Sequence, residues 1–309
     1  MPQKSTPAVF TILKLQEPLI QSLTDNNMRK KNIDLRILRL DMIHPIASGN
    51  KIFKLAFFLD QAQSVNHKTL LTFGGAYSNH LAATAFAGAQ LQLRTIGIIR
   101  GEQPPRLSHT LEYCLSQGME LEFVSRNEYR ELTKGFLSQR FANKFGSFVV
   151  IPEGGHSKAG AEGASLIWQH IPMDVTHVCV AIGTATTFAG IIKAAPPNVK
   201  IVGLPILKNM RDIAERLKHL LITDVCAYDV VDGYHFNGYA KKNDQLVKFM
   251  NLFYEETRVP LDFVYTAKMM YGVKDLISKD YFPNGSRILC IHTGGLQGNL
   301  SLPFGTLKY

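Results

Sequence analysis

Short runs of β-branched and aliphatic residues recur along this chain, separated by stretches long enough for several helical turns. That alternation restricts the fold to the α/β class with mainly parallel sheets, because parallel neighbours need a crossover long enough to hold a helix. Strands are predicted at 69–73, 95–99, 120–124, 148–151, 178–182, 200–204 and 287–291. Helices are predicted at 79–91, 107–117, 128–144, 159–170, 186–195, 212–220, 242–257 and 267–279. With 309 residues the chain can bury a substantial core and divide into two lobes.

Three of the predicted strands run into glycine-containing turns. The first is Phe73-Gly74-Gly75-Ala76-Tyr77-Ser78-Asn79-His80, ahead of a helix of small residues. The second is Ile182-Gly183-Thr184-Ala185-Thr186-Thr187, and the third is His292-Thr293-Gly294-Gly295. Ligands of open parallel sheets gather at the carboxyl ends of strands, so the three turns are candidates for one shared site. The second turn joins a tight backbone to three threonines at a helix start, where unpaired N–H groups and hydroxyls suit a phosphate. A plain helix cap by Thr186 or Thr187 is the competing reading. Neither a GxGxxG fingerprint nor a Walker loop is present.

Lys51 follows a Gly-Asn turn, and Lys54 lies one helical turn later on the same face. A lysine serves as a Schiff-base nucleophile when burial or a neighbouring cation strips its proton. Two solvated lysines on a helix buried through Phe53, Leu55, Phe57 and Phe58 is the alternative.

The segments gain force as an ordered set: Gly49-Asn50-Lys51-x-x-Lys54-Leu55, Gly74-Gly75-x-x-Ser78-Asn79-His80, the Gly/Thr loop, Tyr265-Thr266-x-Lys268 and His292-Thr293-Gly294-Gly295. From about Leu40 to Gly295 the chain resembles the D-cysteine desulfhydrase/1-aminocyclopropane-1-carboxylate deaminase family, within the tryptophan-synthase-β-like, fold type II pyridoxal-phosphate enzymes. The resemblance implies two open, mainly parallel α/β domains with the cofactor in the cleft between them. The larger would comprise 1–52 and 158–309, and the smaller, inserted one 53–157. A homodimer acting on a small amino acid is also implied.

By the same resemblance Lys51 carries pyridoxal 5'-phosphate and later acts as base at the substrate carbon. Lys54 with Gly183, Thr184, Ala185, Thr186 and Thr187 holds the phosphate. Asn79 meets the ring hydroxyl, and Ser78 receives the substrate carboxylate. Tyr265 lies against the ring, Tyr239 (with Tyr234 as rival) is a second catalytic tyrosine, and Thr266 and Thr293 lie near the pyridine nitrogen. Family members that open the cyclopropane ring carry Tyr-Glu-Gly-Lys where this chain has Tyr265-Thr266-Ala267-Lys268. A neutral hydroxyl makes a weaker electron sink, which suits elimination of a β-substituent. The implied reaction is therefore a desulfhydrase-like α,β-elimination giving pyruvate, ammonia and sulfide. Deamination of the cyclopropane amino acid to 2-oxobutanoate, or cofactor binding without catalysis, are the alternatives. Ala185 departs from the family's more usual glycine, and Glu153-Gly154-Gly155-His156-Ser157 matches its pattern only in part.

Other classes are poorly supported. No apolar run reaches membrane-spanning length, and the start lacks a signal-peptide pattern, so a cytoplasmic location is expected. Cys114, Cys179, Cys226 and Cys290 lack metal or redox spacing and read as buried thiols. A net charge of +9 is spread along the chain without interleaved aromatics, which argues against nucleic acid but suits an anionic substrate or cofactor. The ten histidines form no HxxxH pair with an acid; His80 and His292 are placed to shape the pocket. No Gly-x-Ser-x-Gly elbow is present.

Overall fold

The computed structural model describes residues 8–64, 68–135, 139–220 and 226–309. Its strands are β1 (Leu19–Leu23), β2 (Asp34–Arg39), β3 (Thr69–Gly74), β4 (Arg94–Arg100), β5 (Glu120–Val124), β6 (Val149–Ile151), β7 (His177–Ile182), β8 (Lys200–Pro205), β9 (Tyr228–Val230) and β10 (Arg287–His292). The first helices are α1 (Ala8–Ile12), α2 (Asn26–Lys30), α3 (Asn50–Ser64), α4 (Asn79–Gln90), α5 (His109–Ser116) and α6 (Arg126–Thr133). They are followed by α7 (Gln139–Phe145), α8 (Lys158–Ser165), α9 (Thr186–Ala194), α10 (Ile213–Leu220), α11 (Asp244–Thr257) and α12 (Thr266–Ser278).

Two sheets result, of order β1-β2-β10-β7-β8-β9 and β5-β4-β3-β6. All pairings are parallel except β1 on β2. The α/β reading therefore holds, and all seven predicted strands form. Three more strands were not predicted: β1, β2 and β9. In β2, Arg36 and Arg39 break the apolar run while pairing with Asp174 and Asp41.

The helix predicted over 128–144 is instead two, α6 and α7. Gly135, at φ +98°, sits in the break after α6, a conformation that a continuing helix cannot contain. The helix predicted over 159–170 tightens into a 3₁₀ segment after Ser165.

Helix α3 is the shared element. Its Ile52, Leu55 and Leu59 belong to one apolar cluster that includes Val178 and Leu289 of the six-stranded sheet and Leu70 and Ile151 of the four-stranded one. Each such buried aliphatic side chain contributes roughly 1.5–3 kcal/mol. Helix α8 backs α3 closely: a Cβ on Gly163 would lie 2.1 Å from the Phe53 carbonyl oxygen. Among the described residues no helix is long and apolar enough to cross a membrane, and no cluster of His, Cys, Asp or Glu is arranged to hold a metal.

Candidate active site

The start of α3 is locked to the end of β10. Asn50 N–H donates to the Thr293 carbonyl (3.2 Å), and Gly49 N–H donates to Leu40 O (2.7 Å). Gly49 has φ +77°, and a Cβ there would stand 2.0 Å from Thr293 O, so only glycine admits this approach. Asn50 Nδ2 also donates to Thr187 Oγ1 (2.7 Å), which ties α3 to the first turn of α9. Sequence reasoning missed Asn50's role, because its partner lies 137 residues away.

Lys51 is thereby held at the cleft. Its Nζ donates to the neighbouring Asn50 Oδ1 (3.3 Å) and lies 5.9 Å from the centre of the Tyr265 ring. Burial pushes its pKa down to about 8, against an opposing pull from Asp262. Lys54, almost fully buried, donates to Gly154 O (3.3 Å) and is pushed well below the usual lysine range by burial and then by the charge of Lys51.

Helix α9 begins with Thr186 and Thr187, both buried. Thr186 Oγ1 lies 2.9 Å from Thr184 Oγ1 and 3.0 Å from His156 Nδ1. Ala185, just before the helix, is left-handed at φ +67°. A side chain in that region costs about 1–2 kcal/mol, against about 0.5–1 kcal/mol of extra backbone entropy for glycine. Ala185→Gly is therefore expected to leave stability level or raise it by up to about 1.5 kcal/mol, as thermal denaturation would show.

The turn after β3 brings Ser78, Asn79 and His80 to the same cleft. Ser78 Oγ caps α4 by accepting from Leu81 N–H (3.3 Å). Asn79 Oδ1 is buried with no hydrogen-bond partner among the described residues. Its Nδ2 would lie 3.5 Å from a Cβ placed on Gly295, so the first and third glycine turns face one another. His80 Nε2 pairs with Thr72 Oγ1 (2.9 Å), and the ring is held neutral by burial, then by Lys51 and Lys54.

At the start of α12, Asp262 is a further residue that sequence reasoning missed. Its Oδ1 accepts from Val264 N–H (3.0 Å) and Tyr265 N–H (2.8 Å), and its Oδ2 from Thr266 N–H (2.9 Å) and Thr266 Oγ1 (2.6 Å). An acid just ahead of a helix is a start signal that could have revealed it. Burial raises its pKa despite these bonds. The Thr266 hydroxyl is thus engaged with Asp262, while Thr293 meets α3 through its carbonyl.

Tyr265 is wedged against the Gly183 turn, 3.0 Å from where a Gly183 Cβ would stand. Burial, then Tyr239, pushes its phenol far up. The rings of Tyr265 and Tyr239 meet edge to face at 6.2 Å. Lys268 steadies the Tyr239 loop by donating to His235 O (2.9 Å) and Gly238 O (2.6 Å). Tyr234 instead donates to Asp275 (2.7 Å), so Tyr239 is the tyrosine beside Tyr265. His292 is occupied by Pro260 O (2.7 Å) and Asp41 (3.2 Å), both structural contacts.

These residues fit pyridoxal phosphate. Among the described residues neither Lys51 nor Lys54 has an ion-pair partner; hydroxyls line a helix N-terminus, and the buried Asn79 Oδ1 awaits a donor.

A family described as pyridoxal-phosphate dependent enzyme matches residues 17–294. A Pyrococcus abyssi protein, provisionally named 1-aminocyclopropane-1-carboxylate deaminase, is 28% identical over 290 residues, 87% of each chain. D-cysteine desulfhydrase of Salmonella choleraesuis is 30% identical over 285 residues, 84% of this chain and 86% of its own. A crystal structure of an ACC deaminase homologue superposes with a TM-score of 0.76 at 26% identity, covering 95% of this chain and 96% of the other.

Proposed function

From the premise that the chain belongs to the pyridoxal-phosphate dependent enzyme family, we propose that it catalyses α,β-elimination on a small amino acid, of the D-cysteine desulfhydrase kind. The products are pyruvate, ammonia and sulfide. The carrying observation is Lys51: an amine whose pKa is lowered to about 8, at the meeting point of the three strand-end turns and the Tyr265 ring.

When bound, pyridoxal phosphate supplies a carbonyl for amine capture and a ring that accepts the electron pair left at the α-carbon. Lys51 is the residue that carries it, with Lys54, Gly183, Thr184, Ala185, Thr186 and Thr187 around the phosphate. Asn79 meets the ring hydroxyl, and Thr266 and Thr293 lie toward the pyridine nitrogen. Lys51 Nζ, once free, takes the proton from the substrate α-carbon. Ser78 and the N-terminus of α4 receive the substrate carboxylate. Tyr265 shields one side of the cleft, and Tyr239, which is 54% exposed, offers a hydroxyl toward the departing sulfur. Sulfide leaves with the Cβ–S electron pair, and water converts the released aminoacrylate to pyruvate and ammonia.

The same reading divides the chain into a larger lobe, 1–52 with 158–309, and a smaller inserted lobe, 53–157. Strand membership of the two sheets supports that division. It also carries a cytoplasmic homodimer; the four unpaired cysteines suit a reducing compartment.

Deamination of 1-aminocyclopropane-1-carboxylate is favoured by the names of two relatives. Against it stands a neutral Thr266 where ring-opening members carry a carboxylate. Supplying the holoenzyme with D-cysteine, L-cysteine and the cyclopropane amino acid separates the readings. Pyruvate from D-cysteine is expected, and 2-oxobutanoate as the dominant product would reverse the assignment.

A further inference from the structure

The smaller sheet presents more than the Ser78 turn at its carboxyl edge. Strand β4 ends on Arg100, β5 leads into α6 with Arg126 and Arg130, and β6 leads to Glu153. Because these strands are parallel, all of these residues emerge on the side where β3 delivers Gly75 and Ser78.

There they line a cavity of about 440 Å³ together with Tyr129 and Thr133. Three exposed arginines and a single carboxylate are among its lining residues. Among the described residues none of the three is ion-paired; Arg100 lies over the Tyr129 ring, 5.6 Å from its centre. Tyr129 is itself almost wholly buried; among the described residues its hydroxyl makes no hydrogen bond of ordinary geometry, and Glu153 lies close enough to push its pKa up further after burial does. A ligand oxygen in the cavity would give that hydroxyl an aligned partner.

The cavity adjoins the cleft. A Cβ on Gly75 would lie 3.4 Å from Arg100 Nη2, so the arginine reaches the turn assigned to the substrate carboxylate. Glu153 precedes the residue whose carbonyl holds Lys54, and its charge reaches Tyr265.

We propose that this arginine-lined compartment is the distal part of the substrate site and receives an anionic β-substituent, a phosphate or sulfonate, on the amino acid undergoing elimination. The assignment rests on the lyase reading above. Guanidinium forks pair bidentately with such oxyanions, whereas a neutral thiol gains nothing from them. With O-phosphoserine as the example, Lys51 takes the α-proton, the Cβ–O bond breaks, and phosphate leaves with the bonding pair. Water then hydrolyses the aminoacrylate to pyruvate and ammonia.

The test uses the holoenzyme with both enantiomers of cysteine and of O-phosphoserine, following pyruvate. The kcat/KM for O-phosphoserine should exceed that for cysteine of the same configuration by about tenfold or more. Replacing Arg126 and Arg130 by glutamine should raise KM for O-phosphoserine about tenfold more than KM for cysteine. Calorimetric binding of 2-amino-3-phosphonopropionate, which has no leaving oxygen, gives a readout independent of turnover. It should weaken in the same variant and compete with cysteine. Turnover of cysteine with no preference for O-phosphoserine, and phosphonate binding indifferent to the arginines, would overturn the proposal and leave the lyase standing. Arginine-dependent binding that does not compete with cysteine would also overturn it, in favour of a separate anion site. No pyruvate from any of the four substrates would sink the lyase reading itself, while phosphonate binding would still judge the compartment.

Discussion

Replacing Lys51 by alanine is expected to lower kcat on the order of 10³-fold or more, the scale set by losing a positioned base together with the amine that anchors the cofactor. Three buried or half-buried lysines compete for that role, and their hydrogen bonds and burial decide between them. Lys268 shares the lowered pKa of about 8, but its ammonium is committed to two backbone carbonyls at 2.9 and 2.6 Å. Lys54 is engaged with Gly154 O and sits deeper. Among the described residues Lys51 has only a contact to its neighbour Asn50, as long as that of Lys54, and it is the less buried of the two. Borohydride reduction followed by peptide mass analysis should therefore place the cofactor on Lys51. Attachment to Lys54 or Lys268 in the unaltered protein would refute the assignment. The pH dependence adds a second check. Burial disfavours the ammonium, so the pKa falls from 10.5 to about 8. Capture of pyridoxal phosphate by the apoprotein should accelerate about tenfold per pH unit below that value and level off above it. The alanine variant should show no such rise.

Gly49→Val is expected to cause the largest loss of stability, about 4 kcal/mol or more. Two penalties coincide there: a left-handed backbone, worth about 1–3 kcal/mol, and an overlap with the Thr293 carbonyl that only backbone movement relieves. For a chain of this size the thermal midpoint should fall on the order of 10 °C. Gly118→Ala is the control: its φ is +80°, but nothing lies within 4 Å of the new Cβ, so it carries the conformational penalty alone. Similar losses in the two variants would show that the Thr293 contact is unimportant.

Much of the fold was legible because buried parallel strands are uninterrupted apolar runs, as in Val178–Ile182 and Ile288–Ile291. The edge of the larger sheet was not. In Leu19–Leu23 exposed and half-buried residues mix, and β2 interleaves arginines paired with Asp34 of the same strand, Asp41 just beyond it and the distant Asp174. Gly135 falls inside the helix predicted over 128–144, although its φ of +98° ends α6. In the cleft, the glycine and threonine turns announced themselves locally. The side chains that fix them did not: Asn50 acts through Thr187, and Lys268 through carbonyls some thirty residues before it. Such pairings depend on chain topology, which local patterns do not encode.

The strand order also fixes a timetable for biosynthesis. The last strand, β10, lies between β2 and β7, and the residue after it supplies the carbonyl that anchors Asn50. The four-stranded sheet is complete by residue 151 and can assemble while the ribosome is still at work. The segment carrying Lys51 is among the first made, yet it cannot reach its working position until nearly the whole chain has emerged. A chain cut before residue 293 lacks the carbonyl that anchors Asn50, so the start of α3 is fixed only late in synthesis.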